Sequence, residues 1–358
     1  MNRSSDGSGV RSLYAPVLGT ISSEQRWVVA SCGLTLLLSA LVLVSFSVGR
    51  YSMTAGQAFE ILVHPAVGGD RTWTATMDTV VWQVRLPRIA GAIVVGAALA
   101  SAGAAYQSVF RNPLVSPAIL GVSQGAAFGA SLGIFLRVPW ATMQLFGVGF
   151  GLLATTLTVM IARELGRGSA VTLVLGGIVV TSMFAAFIAI LQYFADPLDT
   201  LPSITFWLMG SLGRVGNRDL ALIIGPTLLA FAALYAMRWQ INVLSAGGEE
   251  AQALGVNERN VRAVVIVSAT VMTALAVSVS GIIGWIGLII PHIARMIVGP
   301  NFHRLLPVSA LLGATFLLSV DTLARSVTSV ELPLGVLTAL IGAPFFLVVL
   351  SQARRQWL

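Results

Sequence analysis

Few residues in this chain could do chemistry. Of 358 residues, 14 are Asp or Glu, 3 are His and 1 is Cys. His64, His292 and His303 are scattered, with no Cys or carboxylate at ligand spacing, so no metal site is expected. There is no Gly-x-Ser-x-Gly elbow, and no apolar stretch carries a pair of carboxylates for general acid and base work. All 21 basic residues are Arg. Without a Lys the chain can build neither a P-loop nor a Schiff base. Cys32 lies in an apolar run, where it fits as a small packing residue, and a single Cys forms no intramolecular disulfide. These absences point away from an enzyme and from a cofactor held by this chain.

Two polar groupings remain. The first runs from Gly247 to Val256. Gly247 and Gly248 permit a tight entry, and Glu249 and Glu250 fall in a first helical turn, where the helix dipole favours carboxylates. Gly255 follows Leu254 as a helix stop, and Asn257 can cap the next helix. Ala251, Ala253 and Leu254 give this short helix a thin apolar side. These residues alone admit either a solvated, locally capped loop or a docking element. The second grouping is Arg85, Arg88 and Arg325, with Asp321 one helical turn before Arg325 as its natural partner. Arginines at the ends of membrane spans either anchor to lipid phosphates or pair bidentately with carboxylates of a docking protein. Pro291-His-Ile-Ala-Arg295 reads as the trim of a helix end.

The elements that must position these residues are membrane helices. The composition is 56% hydrophobic and 10% charged, against about 25% charged for a soluble domain. The expected fold is all-α, a polytopic membrane protein of about ten transmembrane helices with short helices between them. The spans fall at 27–48, 85–110, a third around Gly121 to Gly133, then 140–162, 171–194, 220–239, 263–281, 282–298, 305–323 and 332–350. The division at 281/282 rests on length alone. A segment at 204–212 is too short to cross and reads as re-entrant or interfacial. Residues 1–25, rich in Ser, Gly and Arg and without the apolar core of a cleavable signal, read as a disordered cytoplasmic tail, leaving 26–358 as one membrane domain.

Small residues recur every fourth position. Ala92, Gly96, Ala100 and Ala104 do so in the second span, and Gly121, Gly125, Gly129 and Gly133 in the third. This spacing lets helix backbones approach closely in lipid. With both termini cytoplasmic, 13 arginines lie inside and 8 outside, in agreement with the positive-inside rule, and Glu249 and Glu250 face the cytoplasm. The net charge of +7 is dispersed between apolar runs and does not suggest nucleic acid. Buried ionisable groups usually mark proton or ion paths, and only Asp321 is clearly inside a span. A conduit of this kind is expected to be driven from elsewhere, although a secondary carrier or a scaffold is not thereby excluded.

Several motifs then fall together in order. Arg85-Leu-Pro-Arg88, Gly96-Ala-Ala-Leu-Ala-Ser-Ala-Gly103, Gln107-Ser-Val-Phe-Arg-Asn-Pro-Leu114 and Ser116-Pro-Ala-Ile-Leu-Gly121 stand in the first half. Phe206-Trp-Leu-Met-Gly-Ser211, Gly248 to Val256, Gly287-Leu-Ile-Ile-Pro-His-Ile-Ala-Arg295, His303-Arg-Leu-Leu-Pro307, Glu331-Leu-Pro-Leu-Gly335 and Gly342-Ala-Pro344 follow in the second. From about residue 30 onward the chain closely resembles the FecCD family of ABC-transporter permeases, which import iron complexes, haem and cobalamin.

The resemblance implies a homodimer, two cytoplasmic ATP-binding cassette subunits that hold ATP and magnesium, and a periplasmic or lipid-anchored binding protein, all at the bacterial inner membrane. It implies that Gly248, Glu249, Glu250, Ala251, Ala253, Leu254 and Gly255 form the coupling helix on the ATPase. It also implies that Arg85, Arg88 and Arg325 dock the binding protein, and that the path follows about residues 171–212. The expected cargo is an iron complex, a ferric siderophore or haem. Cobalamin is an alternative, as is molybdate or tungstate, because residues 191–207 are similar to a branch of the family that includes an oxyanion importer.

Overall fold

The computed structural model describes residues 23–49, 51–68, 70–166, 170–328 and 330–357. In chain order the helices are α1 (Ser23–Ser47), α2 (Ala55–Val67), α3 (Ala75–Thr79), α4 (Leu86–Val109), α5 (Val122–Phe135), α6 (Trp140–Gly166), α7 (Ala170–Phe194) and α8 (Thr200–Leu208). They continue with α9 (Asn217–Ala236), α10 (Arg238–Ala246), α11 (Gly248–Ala253), α12 (Glu258–Ser280), α13 (Ile286–Val298), α14 (Phe302–Ala324) and α15 (Leu334–Trp357). Among the described residues there is no strand.

Among the described residues, seven helical stretches are long and apolar enough to cross a membrane, and α5, α13 and the first part of α15 are shorter apolar helices, which matches the ten expected spans. Several boundaries differ from the sequence reading: the short segment expected over 204–212 is α8, and α12 begins at Glu258 rather than 263. The second span begins ten residues before Arg85, because a π turn at Val80–Arg85 fuses α3 to α4 into one rod from 75 to 109. The apolar run near 282 is broken over five residues, with left-handed backbone at Gly281 (φ 70°) and Trp285 (φ 69°) reversing the chain between α12 and α13. The tail expected over 1–25 lies outside the described residues as far as 22, and α1 already begins at Ser23.

α4 is the central helix. It is enclosed by α14, α12, α13 and α9, whereas α1 packs on α14 with most of its surface outward. Close approach depends on glycine, because a missing Cβ lets one backbone rest on another. At Gly96 a Cβ would stand 2.2 Å from the carbonyl oxygen of Gly313, and at Gly313 one would stand 2.3 Å from that of Gly96, a reciprocal crossing of α4 and α14. Gly103 faces the Gly287 carbonyl of α13 in the same way at 1.9 Å. The α5–α6 hairpin zips along one stripe: Gly125 lies against the Phe150 carbonyl, Gly129 against the Phe146 carbonyl, and Gly133 against Met143. Gly121, at φ 80°, turns the chain into α5 and rests on Val180 of α7.

Candidate functional site

The helix α11 has a buried anchor and an exposed tip. Its end is a Schellman motif: Val256 N donates to Ala251 O at 2.8 Å, and Gly255 N donates to Gln252 O at 3.0 Å, with Gly255 left-handed at φ 72°. Ala251 is fully buried and Val256 nearly so, both in the core cluster beneath the helix, while Leu254 is 60% exposed. A Cβ on Gly247 would strike the Glu250 carboxylate, which folds back over the helix entry. Glu249 is exposed and has no polar partner among the described residues. The two exposed carboxylates differ in placement: that of Glu250 lies over Gly247, and Glu249 makes no such contact.

The helices on either side hold α11 in place. Asn257 accepts from Asn260 N at 3.2 Å and starts α12. On the other side Asn242 of α10 accepts from Phe302 N at 2.7 Å and donates to Asn301 Oδ1 at 3.0 Å, while Asn301 caps His303 N at 3.0 Å. These bonds tie the polar segment to the first turn of the long helix α14. Sequence reasoning missed Asn242, because one Asn in an amphipathic helix carries no signal of a partner 60 residues away.

At the opposite ends of α4 and α14, the three arginines expected at an outer docking face are buried, with 4%, 7% and 7% of Arg85, Arg88 and Arg325 exposed. Arg88 Nε donates to both oxygens of Asp321, at 2.9 and 3.1 Å, and its Nη1 donates to both oxygens of Glu331 at 3.0 Å. Arg325 donates to Val48 O and Ser45 O, each at 2.8 Å, and stands 3.6 Å from Asp321. Arg85 donates to Phe46 O and Tyr51 O. This corrects the expectation that the three present free guanidiniums to a partner. Apart from Arg325 Nε, which is buried without a hydrogen bond, the donors named go to the chain's own carboxylates, to carbonyls at the end of α1, where the last helical turn leaves acceptors open, and to Tyr51 O. The i, i+4 partner of Asp321 was legible in the sequence, whereas the nearer partner Arg88 comes from another helix.

Near this cluster three motifs cross. Ser211 N donates to Ser280 O at 2.8 Å, Leu334 N to Gly210 O at 2.9 Å, and Gly335 N to Met209 O at 3.0 Å. The end of α8, the break after α12 and the start of α15 are thus bonded through backbone alone. A Cβ on Gly281 would lie 2.3 Å from Trp207 O, and one on Gly335 would lie 2.6 Å from Ile282 O. Non-helical backbone at membrane depth is stable only when buried in protein and paired in this way. A further junction, Asp219, accepts from Trp140 Nε1 at 2.8 Å, Gln144 Nε2 at 2.7 Å and Gly216 N at 2.7 Å, joining α9 to α6.

A family model described as the FecCD transport family matches residues 37–352. The chain belongs to that family. Among FecCD relatives it is 42% identical over 323 residues to the molybdate import system permease protein MolB of Haemophilus influenzae, covering 90% of this chain and 95% of that one. It is 37% identical to the hemin transport system permease protein HmuU of Yersinia pestis, covering 79% and 88%. A solved metal-chelate type ABC transporter in an inward-facing conformation superposes with a TM-score of 0.80 at 40% identity, covering 90% of this chain and 98% of that one. This FecCD chain is thus the permease of an ABC importer, a membrane transport subunit rather than the seat of catalysis. A stand-alone carrier gains no support.

Proposed function

We propose that this FecCD permease works as one half of a homodimer at the bacterial inner membrane, with both termini cytoplasmic. Two ABC subunits holding ATP and magnesium drive it, and α11 receives their movement. The observation that supports the coupling role is the contrast between Ala251, buried, and Leu254, exposed beside the unpaired Glu249. An apolar tip on a helix clamped to α12 and, through Asn242, to α14 passes a push into the bundle. Changing Glu249→Arg with Leu254→Asp is expected to leave the permease in the membrane and to separate ATP hydrolysis from uptake; normal uptake by that variant would sink this reading.

The cargo we favour is an iron complex, a ferric siderophore or haem. On α7 the residues Leu175, Ile178, Val179, Met183, Phe187 and Ile190 are exposed, and Phe206 of α8 is 67% exposed, with no charge from 176 to 194. Such a wall lacks the arginines or paired amides that would hold a bare oxyanion, and it suits a bulky, partly apolar ligand. A second reading, molybdate, is favoured by the 42% identity to MolB. Proteoliposomes with the ATPase and cognate binding protein decide between them: uptake of labelled ferric chelate or haem that molybdate does not inhibit supports the first, and molybdate uptake alone overturns it.

The binding protein, periplasmic or lipid-anchored, is expected to meet the outer face through Arg214 and Arg218, which are exposed and have no ion pair among the described residues. That role passes to them because Arg85, Arg88 and Arg325 are enclosed.

A further inference from the structure

A cavity of about 1340 Å³ opens between α6, α12 and α11 at the end of the bundle that carries the coupling helix. Its mouth holds Arg163, Arg259 and Arg262, with Glu258 as the one carboxylate on its wall. Arg262 spends one nitrogen on Glu258, while its Nε is buried without a partner. Arg163 and Arg259 are exposed, and neither has an ion pair or hydrogen bond among the described residues. Deeper in, the walls are mainly apolar, with Leu152, Val159 and Met160 from α6 and Ile266 and Val267 from α12, interspersed with Thr155, Thr156 and Thr270.

The depth identifies the occupant. Leu152 to Arg163 on one wall and Thr270 to Arg259 on the other each span eleven residues, about 16 Å of helix at 1.5 Å per residue. Half the hydrocarbon thickness of a bilayer is about 15 Å. Both walls therefore run from a cationic rim to about the depth of one leaflet, and the rim carries three positive charges against one negative. A soluble partner does not enter hydrocarbon to that depth, and a neutral lipid gains nothing from the arginines. Basic pockets between membrane helices hold anionic headgroups.

We infer that this cavity is a site for an anionic phospholipid, its phosphate among Arg163, Arg259 and Arg262 and an acyl chain laid between α6 and α12. Gly248 and Gln252 of α11 also line the cavity, so the bound headgroup touches the coupling helix. The assignment does not depend on which cargo is carried.

The test is native mass spectrometry of the full chain, purified in detergent and offered equimolar dioleoylphosphatidylglycerol and dioleoylphosphatidylcholine. The wild type is expected to retain the anionic lipid preferentially, and Arg163→Gln with Arg259→Gln to lose that preference by about fivefold per arginine. Val267→Trp, which crowds the deeper wall at an exposed position and leaves the arginines intact, is expected to reduce retention of the anionic lipid at unchanged melting temperature. Glycerol 3-phosphate should not displace the lipid; displacement would identify a free phosphate site and overturn the assignment. Equal retention of the two lipids, no lipid on the wild type, or an unchanged preference in the double variant would also overturn it.

Discussion

Arg88 and Asp321, 233 residues apart, meet through Nε and both carboxylate oxygens at the first turn of α4 and the last turn of α14, with the Asp321 side chain fully enclosed. Removing one partner of a buried pair strands the other, at a cost of about 3–5 kcal/mol. Arg88→Ala and Asp321→Ala should each lower the melting temperature of the purified permease sharply. The combination Arg88→Met with Asp321→Leu should lose less than the sum of the single changes, since Glu331 is partly exposed and Arg325 keeps the carbonyls of Ser45 and Val48. Strict additivity in thermal melts would contradict the coupling.

The glycine stripe of α5 predicts a graded series. Gly129→Val drives a branched side chain into the Phe146 carbonyl, where even a Cβ would be 2.2 Å away, and should cost several kcal/mol, about the upper range of overpacking. Gly149→Ala meets nothing within 4 Å and should gain about 0.5–1 kcal/mol from helix propensity. Folded yield and thermal midpoint in detergent measure both.

For α11, Ala251→Glu buries a charge in the core below the helix and should lower the thermal midpoint, whereas Leu254→Asp changes an exposed tip and should leave it within about 0.5 kcal/mol of wild type. If Leu254→Asp nonetheless reduces ATPase-driven uptake, the loss belongs to the contact with the partner and not to folding. Equal destabilisation by both changes would remove the distinction between anchor and tip.

Asp219 serves three donors at once. Asp219→Ala leaves the Trp140 indole N–H, the Gln144 amide and the Gly216 N–H without their acceptor and should cost about 3 kcal/mol. Asp219→Asn keeps one acceptor oxygen and should cost less. Tryptophan fluorescence during denaturant unfolding reads both values.

Charge reversal at Arg214 and Arg218 should weaken association with the binding protein most at low salt, because exposed charges are screened beyond about 10 Å at 0.1 M. Surface binding assays at two ionic strengths measure this. An equal loss at both would point to a folding defect.

What the sequence determined by itself is local and periodic. Ten apolar runs, the helix stop at Gly255, the cap at Asn257 and the four-residue glycine stripe follow from hydropathy, backbone freedom and the missing Cβ, each a property of neighbouring residues. The motif series likewise carried the family, since it was read in order along one chain. Tertiary structure decided which distant groups neutralise one another. Arg85, Arg88 and Arg325 lie at helix ends in the sequence, as lipid anchors or docking arginines would. Only the packing of α1, α4 and α14 brings Asp321, Glu331 and the open carbonyls of residues 45–51 around them. The spacing of charges along a helix reports partners one turn away, whereas a bidentate pair across 233 residues depends on how the helices cross. The same holds for the groove between α6 and α12: Arg163 stands 96 positions before Arg259, and their convergence is a consequence of packing.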